Sequence, residues 1–257
     1  MFTNNFDPVA LEIFSLEIRW YSLAYIAGIL LGWAYCKKKL IKDKILFNIF
    51  DDFITYLIVG VILGGRLGYI IFYNLGYYLQ NPIEILMIWN GGMSFHGGLI
   101  GVILAAIMFA RQNNLNHFIF LDLVSLAAPI GIFFGRISNF INSELIGRAT
   151  NLPWSVEFIL IDKVKRHPSQ IYEAFFEGIV LFLLLGYLSK KSYLKKPGLI
   201  SALFLIFYSL FRFLTEFFRA PDPHIGYIAL NLTLGQLMSV AFLFFGIILF
   251  FYKKNEN

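Results

Sequence analysis

The sequence predicts an all-α integral membrane protein with seven transmembrane helices and a small cap outside the membrane. Hydrophobic residues make up 58% of the 257 residues and charged residues only 14%, whereas soluble domains are about 45–50% apolar and about 25% charged. Uncharged or nearly uncharged stretches with the length of a bilayer-crossing helix recur along the chain. The basic residues concentrate in alternate linkers between these stretches. Together these observations exclude a soluble or disordered chain.

Seven stretches are long and apolar enough to form transmembrane helices. They are Trp20–Cys36, Phe53–Tyr73, Ile85–Ala110, Leu123–Ile141, Ser169–Ser189, Gly198–Phe218 and Ile225–Tyr252. The alternative is six spans with one buried re-entrant segment, because boundaries taken from a single sequence are soft. In either case residues 1–257 are expected to form a single polytopic membrane domain.

The distribution of charge predicts the orientation. The linkers that follow the first, third, fifth and seventh spans carry twelve of the 21 basic residues, and their lysines lie at 37–44, 190–196 and 253–254. The positive-inside rule makes this side cytoplasmic, so the amino terminus is expected outside and the carboxyl terminus inside. Residues 142–168, between the fourth and fifth spans, then form a small external cap. Within the cap, Trp154–Asp162 alternates like a strand.

Glycine pairs spaced four residues apart predict close packing between helices. This spacing places two small residues on one helix face, so that another backbone can approach. The pairs are Gly28 and Gly32, Gly64 and Gly68, Gly97 and Gly101, and Gly131 and Gly135. A phosphate-binding loop is excluded, because no GxxxxGK[ST] motif is present.

Ionisable side chains inside the spans are the candidates for function, because a charge at the centre of a membrane helix costs about 2.5–3.5 kcal/mol. For any one of these side chains, the alternative to a functional role is that it snorkels to the membrane surface or forms a structural ion pair. They are Arg66, His96, Asp122, Arg136, Glu173, Arg212 and Glu216. Arg212 and Glu216 share a helix face, and Arg219 lies one turn further. Converging guanidinium groups predict a strongly anion-binding pocket that suits a phospholipid headgroup.

His96 is the histidine that lies inside a predicted span. Gly97 and Gly98 leave space beside its imidazole, which can accept a proton near pH 7. The alternative is a core histidine with a satisfied hydrogen bond. No second ligand lies one helical turn from it, so the sequence predicts no metal site. Cys36 is the single cysteine, which excludes an intrachain disulfide.

Several long motifs resemble those of the prolipoprotein diacylglyceryl transferase family, and the similarity runs almost from end to end. The motifs are GGMSFHGGLIG at 91–101, GRISNFINSELIGR at 135–148, RHPSQIYEA at 166–174 and FRFLTEFFR at 211–219, with WYSLAY at 20–25 and GGRLGY at 64–69. The order and length of the motifs make the resemblance highly specific.

The resemblance implies a multi-pass protein of the bacterial cytoplasmic (inner) membrane, with the cap in the periplasm. It implies transfer of the sn-1,2-diacylglyceryl group of phosphatidylglycerol to the thiol of the lipobox cysteine in a prolipoprotein signal peptide. The products are a thioether and glycerol phosphate, and the reaction is the first step of lipoprotein maturation. The resemblance implies no cofactor, no metal and no nucleic acid partner.

Matching positions also carry over the family's site residues. The resemblance implies catalytic roles for His96, Arg136, Arg212 and Tyr21. It implies phosphatidylglycerol binding by Arg136, Asn139, Glu144, Gly147, Arg66, Arg212, Glu216 and Arg219. On this hypothesis His96 is the first choice for the base, Tyr21 is a weaker partner, and the arginines hold the leaving phosphate. Asp122 also matches a family position, whereas Ser138 and Ser143 stand where members often carry glycine.

Two other classes of function use the same residues differently. A transporter or a lipid-binding membrane protein would use the basic pocket for carriage, but the sequence shows neither inverted repeats nor paired broken helices. A metal-dependent phospholipid synthase would need a cluster of carboxylates, which Asp51 and Asp52 alone do not supply.

Overall fold

The computed structural model describes residues 2–14, 16–190, 196–221 and 226–256. Residues 191–195, from the predicted cytoplasmic linker, and Ile225, the predicted start of the last span, lie outside the described residues. The helices of the described chain are α1 Trp20–Tyr35, α2 Lys44–Tyr73, α3 Leu75–Gln80, α4 Phe95–Gln112, α5 His117–Ile141, α6 Ser169–Lys190, α7 Leu199–Thr215 and α8 Leu234–Asn255.

Five helices of the described chain, α2, α4, α5, α6 and α8, are long and apolar enough to cross a membrane. The helix α7 is apolar but shorter. Only 11–33% of the most apolar window of each of the five is buried. Their large apolar side chains therefore remain exposed, as lipid-facing helices require. The prediction of a mainly helical membrane protein is confirmed.

The predicted start of the third span at Ile85 is wrong, because α4 begins at Phe95. Pro82–Leu86 and Ile88–Asn90 form short 3₁₀ turns instead. Gly91 and Gly92 then adopt φ values of 81° and 79°, which end regular structure before the helix can begin.

The starts of two further helices differ from the prediction because of local caps. The helix α2 begins at Lys44 instead of Phe53, since the Asp43 carboxylate accepts a hydrogen bond from the Leu46 amide at 2.8 Å. The helix α8 begins at Leu234, where Thr233 and Gln236 form a reciprocal capping box.

Seven short strands lie outside the helices of the described chain. In the first sheet β1 (Phe2–Asn4) runs parallel to β4 (Val156–Phe158), which pairs antiparallel with β5 (Lys165–Arg166). The other strands form two antiparallel hairpins, β2 (Val9–Ile13) with β3 (Leu16–Arg19), and β6 (Tyr227–Ala229) with β7 (Leu232–Thr233). The strand pattern predicted over Trp154–Asp162 is thus present at its centre.

The chain divides into two compact units. The smaller unit is Lys37–Leu121, and the larger unit combines Met1–Cys36 with Asp122–Asn257. In the smaller unit, α2 packs closely on α4 through the predicted glycines. A β-carbon at Gly68 would lie 2.6 Å from the Gly97 Cα, and one at Gly64 would lie 2.8 Å from the Gly101 Cα. The two backbones therefore touch, and larger residues at these positions would separate the helices.

In the larger unit the predicted close packing of glycines is present where α1 meets α5 at Gly28 and Gly131, and it is not seen at Gly135. A β-carbon at Gly28 would lie 2.9 Å from the Gly131 Cα, and one at Gly32 would lie 3.2 Å from the Ala127 Cβ. A β-carbon at Gly131 or Gly135 would meet none of the described residues within 4 Å. Gly131 therefore packs against α1 through its backbone at the Gly28 contact, while the Cβ directions of Gly131 and Gly135 meet open space.

Asp122 caps a distant helix in the larger unit. One carboxylate oxygen accepts from the Ser201 amide at 2.8 Å and from the Ser201 hydroxyl at 2.6 Å. The other oxygen accepts from the Gly198 amide at 2.8 Å. Asp122 is only 1% exposed. This residue therefore fixes the amino-terminal end of α7 to α5.

Replacing Asp122 with alanine is expected to lower the free energy of unfolding by about 1–3 kcal/mol, because buried donors at the start of α7 lose their acceptor. Thermal unfolding of the purified protein in detergent measures the effect. Asp52→Ala is the matched control, since Asp52 is exposed. Equal unfolding temperatures for the two variants would show that the cap contributes nothing.

Candidate active site

Three helices of the larger unit bring buried charges together. Arg136 lies in the carboxyl-terminal half of α5, and Arg212 lies near the end of α7. Glu173 and Glu177 are four residues apart on α6 and therefore share a face. Residues Ala174–Val180 of α6 form a π-helical segment, a feature found frequently at functional sites.

The four side chains form a closed network of ion pairs. Glu173 bridges the two arginines, with Oε2 lying 2.9 Å from Arg136 Nε and Oε1 lying 2.8 Å from Arg212 Nη1. Glu177 also bridges the two arginines. Its Oε2 lies 3.2 Å from Arg136 Nη2, and its Oε1 lies 3.7 Å from Arg212 Nη1. The prediction that Arg136 and Arg212 converge in an interior site is confirmed.

Polar residues at the helix ends extend this network. Arg212 also pairs with Glu216 one turn along α7, as the sequence predicts. Glu216 accepts a hydrogen bond from the Thr233 hydroxyl at 2.9 Å, and Thr215 donates to Glu177 at 3.2 Å. We call Arg136, Arg212, Glu173, Glu177 and Glu216 the arginine–glutamate cluster. The same Thr233 that caps α8 therefore connects that helix to the cluster.

The charge of the cluster differs from the sequence-based expectation of a strongly cationic pocket. The two guanidinium groups are paired with three carboxylates, which offset their positive charge. Accessibility separates the two kinds of group. The Glu173 and Glu177 side chains are 0% exposed, whereas those of Arg136 and Arg212 are 16% and 12% exposed. The two arginine side chains are therefore partly accessible, whereas the carboxylates of Glu173 and Glu177 are covered.

The loop after α5 presents a carboxylate in a defined orientation. Asn139 and Asn142 donate from their amides to the two oxygens of the exposed Glu144 carboxylate, at 2.8 and 3.3 Å. The Gln170 amide donates to the Glu144 carbonyl. Ser143 has a φ of 57°, in the left-handed region that glycine adopts most easily. Ser143 stands where members of the family often carry glycine, so this chain places a serine in a strained turn.

Gly147 holds Arg219 by backbone pairing. The two residues form an antiparallel bridge, and Arg148 Nε donates to the Arg219 carbonyl at 2.9 Å. A β-carbon at Gly147 would lie 2.8 Å from the His167 Cβ, so no larger residue fits without movement. Gly147 is therefore required by packing, and it sets the position of Arg219.

An apolar cavity of about 440 Å³ lies beside the cluster in the larger unit. It is lined by Leu152, Trp154, His167, Tyr172, Phe176, Phe211, Leu214, Thr215 and Phe218. Trp154 Nε1 donates to the Tyr172 hydroxyl at 2.7 Å, and that hydroxyl lies 3.3 Å from His167 Nδ1. Burial lowers the pKa of His167, which favours the neutral imidazole that can accept from Tyr172. Thr215 lines the cavity, and its hydroxyl donates a hydrogen bond to Glu177.

The remaining predicted residues lie elsewhere in the two units. Tyr21, on α1 of the larger unit, packs its ring 5.2 Å from that of Tyr25. His96 and Arg66 belong to the smaller unit. The His96 imidazole is exposed near the start of α4, and its ring meets Phe95 edge to face at 5.5 Å. Arg66 is buried at 4% exposure, within a set of backbone carbonyls.

Comparison with known proteins identifies the family of this chain. The family model described as prolipoprotein diacylglyceryl transferase matches residues 8–252. The chain belongs to this family. It is 51% identical over 248 residues to a phosphatidylglycerol–prolipoprotein diacylglyceryl transferase of Rickettsia bellii (strain OSU 85-389), covering 95% of this chain and 94% of the relative. Proteins of the same name from Azospirillum brasilense and Rhodospirillum rubrum are each 50% identical, over 94% and 98% of this chain and 92% and 93% of theirs.

Several residues in and around the arginine–glutamate cluster have no role in the sequence-based prediction. Glu173 was among the intramembrane charges but received no role in the site, and Glu177, Thr215 and Thr233 were not assigned either. The spacing of Glu173 and Glu177 on one apolar helix is the signal that could have identified them. Two carboxylates on one face of a membrane helix require cationic partners, and Arg136 and Arg212 are those partners.

Glu173→Gln is expected to lower the free energy of unfolding by about 3–5 kcal/mol, because both arginines lose a charge partner in a buried site. Thermal or denaturant-induced unfolding in detergent tests this expectation. The control is Glu12→Gln, which removes one negative charge from an exposed strand position. If the two variants unfold alike, the bridging role of Glu173 is refuted.

Proposed function

We propose that this enzyme transfers the sn-1,2-diacylglyceryl group of phosphatidylglycerol to the thiol of a lipobox cysteine in a prolipoprotein signal peptide. The geometry of Arg136 and Arg212 carries the proposal, because their partly accessible side chains lie together beside two covered carboxylates and paired guanidinium donors suit a phosphate. The relatives from Rickettsia bellii and Rhodospirillum rubrum are named for the same lipid donor and the same class of protein acceptor. The products are the thioether-linked prolipoprotein and glycerol phosphate.

The reaction can be written from the side chains present. The substrate thiol loses its proton, the sulfur forms a bond to the glycerol carbon, and the carbon–oxygen bond to the phosphate breaks. Because a free thiol has a pKa of about 8.5, a base increases the small thiolate fraction at neutral pH. His96 takes the proton, with Tyr21 a weaker partner. Arg136 and Arg212 hold the negative charge on the leaving phosphate.

The other family positions orient the headgroup. Glu144, held by Asn139, offers acceptors to the hydroxyl groups of the terminal glycerol. Glu216 orients Arg212 through their ion pair. Gly147 positions Arg219, which adds a further guanidinium group to this side of the site.

The apolar cavity receives one acyl chain of the phospholipid. Its lining is almost entirely apolar, and Thr215 connects it to Glu177 of the arginine–glutamate cluster. An acyl chain in the cavity would therefore leave the phosphate of the same molecule next to the arginines.

The topology follows from the charge distribution. Seven spans, an outer amino terminus and an inner carboxyl terminus place the lysine-rich linkers in the cytoplasm. Residues 142–168 then form a periplasmic cap within a single polytopic domain of residues 1–257. The bacterial inner membrane is the compartment that supplies both proposed substrates.

A peptide-mass assay tests the function. Purified protein is mixed with phosphatidylglycerol and a lipobox peptide, without added metal, and the peptide mass is measured. We expect a gain equal to one diacylglyceryl group, and none when the lipobox cysteine is replaced by serine. Lipid binding without any change in peptide mass would instead favour a transport or carrier protein.

Arg136→Lys is expected to raise the KM for phosphatidylglycerol at least about tenfold, because lysine cannot offer the paired hydrogen bonds of a guanidinium group. Initial rates over a range of lipid concentrations in mixed micelles measure this change. Arg111→Lys is the control, since Arg111 is exposed at the end of α4. An unchanged KM for Arg136→Lys would contradict phosphate binding at this position.

A further inference from the structure

We propose that Arg66 is a positioning residue for His96 and does not contact the phosphate of phosphatidylglycerol. This inference rests on the proposed function of His96 as the base. It assigns Arg66 a role different from the lipid-binding role that the sequence motif implies. The argument uses only the smaller unit, in which both residues lie.

The Arg66 guanidinium group has no N–H left for a ligand. Arginine carries five N–H donors, and here each donates to a backbone carbonyl at 2.5–3.4 Å. Nε donates to Ile85, Nη1 to Gly91 and Gly92, and Nη2 to Glu84 and Met87. The Tyr78 ring covers the group at 5.1 Å from its centroid. A phosphate would have to displace these carbonyls to bind.

The carbonyls belong to one continuous segment, 84–92, which we call the carbonyl loop. This segment holds the end of the first 3₁₀ turn, the whole of the second and the two glycines with positive φ, so it lacks the repeating hydrogen bonds of a long helix or a sheet. Five carbonyls that face one planar cation are held by charge-assisted hydrogen bonds. Arg66 therefore determines the path of the carbonyl loop.

The carbonyl loop leads directly into the helix that carries His96. The Ser94 amide donates to the Gly65 carbonyl at 2.9 Å, next to Arg66 on α2. The Ser94 hydroxyl accepts from the Gly97 amide at 3.2 Å and caps α4. Residues 65–66 thus fix the point at which α4 begins. Because His96 lies in the first turn of α4, its imidazole is placed by the same contacts.

Close backbone packing removes the remaining freedom of this turn. A β-carbon at Gly97 would lie 2.8 Å from the Gly68 Cα, so α4 cannot move closer to α2. The glycine contact sets the separation of the helices, and the carbonyl loop sets the start of α4. His96 remains on the exposed side of the helix.

Arg66→Lys tests the proposal, because an ammonium group has three donors and leaves at least two of the carbonyls unpaired. Amide hydrogen exchange over residues 84–98 and steady-state kinetics with phosphatidylglycerol are measured on the full-length protein in detergent. We expect exchange in this segment to be at least about tenfold faster and kcat at least about tenfold lower. The KM for the lipid should stay within about twofold, since binding of the phosphate is unaffected.

Arg136→Lys is the matched comparison and should show the opposite pattern, with a raised KM and unchanged exchange over 84–98. If Arg66→Lys behaves in this way as well, Arg66 binds the phosphate and the proposal is wrong. Faster exchange with an unchanged kcat would also overturn it, because the carbonyl loop would then be structural without positioning the base.

A second variant leaves Arg66 in place, in case Arg66→Lys does not fold. In Gly92→Ala the new β-carbon would lie 2.5 Å from Tyr69 Cε1 and 3.1 Å from Arg66 Nη1, so the carbonyl loop must shift. The same combination of faster exchange, lower kcat and retained KM is expected. Wild-type kinetics in this variant would contradict positioning by the loop.

Two further measurements separate this inference from the proposed function. If the wild-type protein transfers no diacylglyceryl group to the peptide, the proposed function fails, and the inference that rests on it fails too. If the wild type is active and His96→Gln retains its kcat, the role of His96 fails, and positioning by Arg66 fails with it. If His96→Gln is inactive but Arg66→Lys keeps its kcat, only the inference about Arg66 is wrong.

Discussion

The buried ion pairs between two arginines and two glutamates are the interaction on which the larger unit depends. A guanidinium group among apolar helices is costly unless a carboxylate lies beside it. Glu173 forms ion pairs with both Arg136 and Arg212, and Glu177 forms a second pair of contacts with the same two arginines. Because the partners lie on α5, α6 and α7, these three helices must converge wherever the charges are to remain buried.

The same network also forms the site that we propose for the phosphate. The carboxylates of Glu173 and Glu177 are fully covered, while part of each arginine side chain stays accessible. The glutamates therefore hold the two arginines in place, and in the proposed function the accessible parts of these arginines bind the phosphate. Arg66 shows the contrasting case, in which backbone carbonyls take all the donors and the cation organises a loop. Whether an arginine can bind a ligand or has a structural role therefore depends more on the groups that its donors already bind than on its depth in the membrane.

Most of the helical architecture could be predicted from the sequence, since apolar stretches of bilayer length leave few alternatives. The errors lie at helix starts, where a local contact decides the boundary. Asp43 extends α2 by capping it, and the glycines before Ser94 delay α4 until Phe95. The glycine pairs on α2 and α4 were predicted to pack and do so, whereas Gly135 faces open space, because spacing alone does not reveal which face meets a neighbour.

The sequence by itself determined the membrane class, the family motifs and the set of intramembrane charges, because composition, periodicity and motif order are properties of the linear chain. The tertiary structure decided which of those charges meet. Arg136 finds its partners on α6, Asp122 caps α7, and Arg66 binds carbonyls of a later loop. Each pairing joins residues that are distant in the chain, and the energy of a charge in an apolar medium depends on the groups within a few ångströms of it.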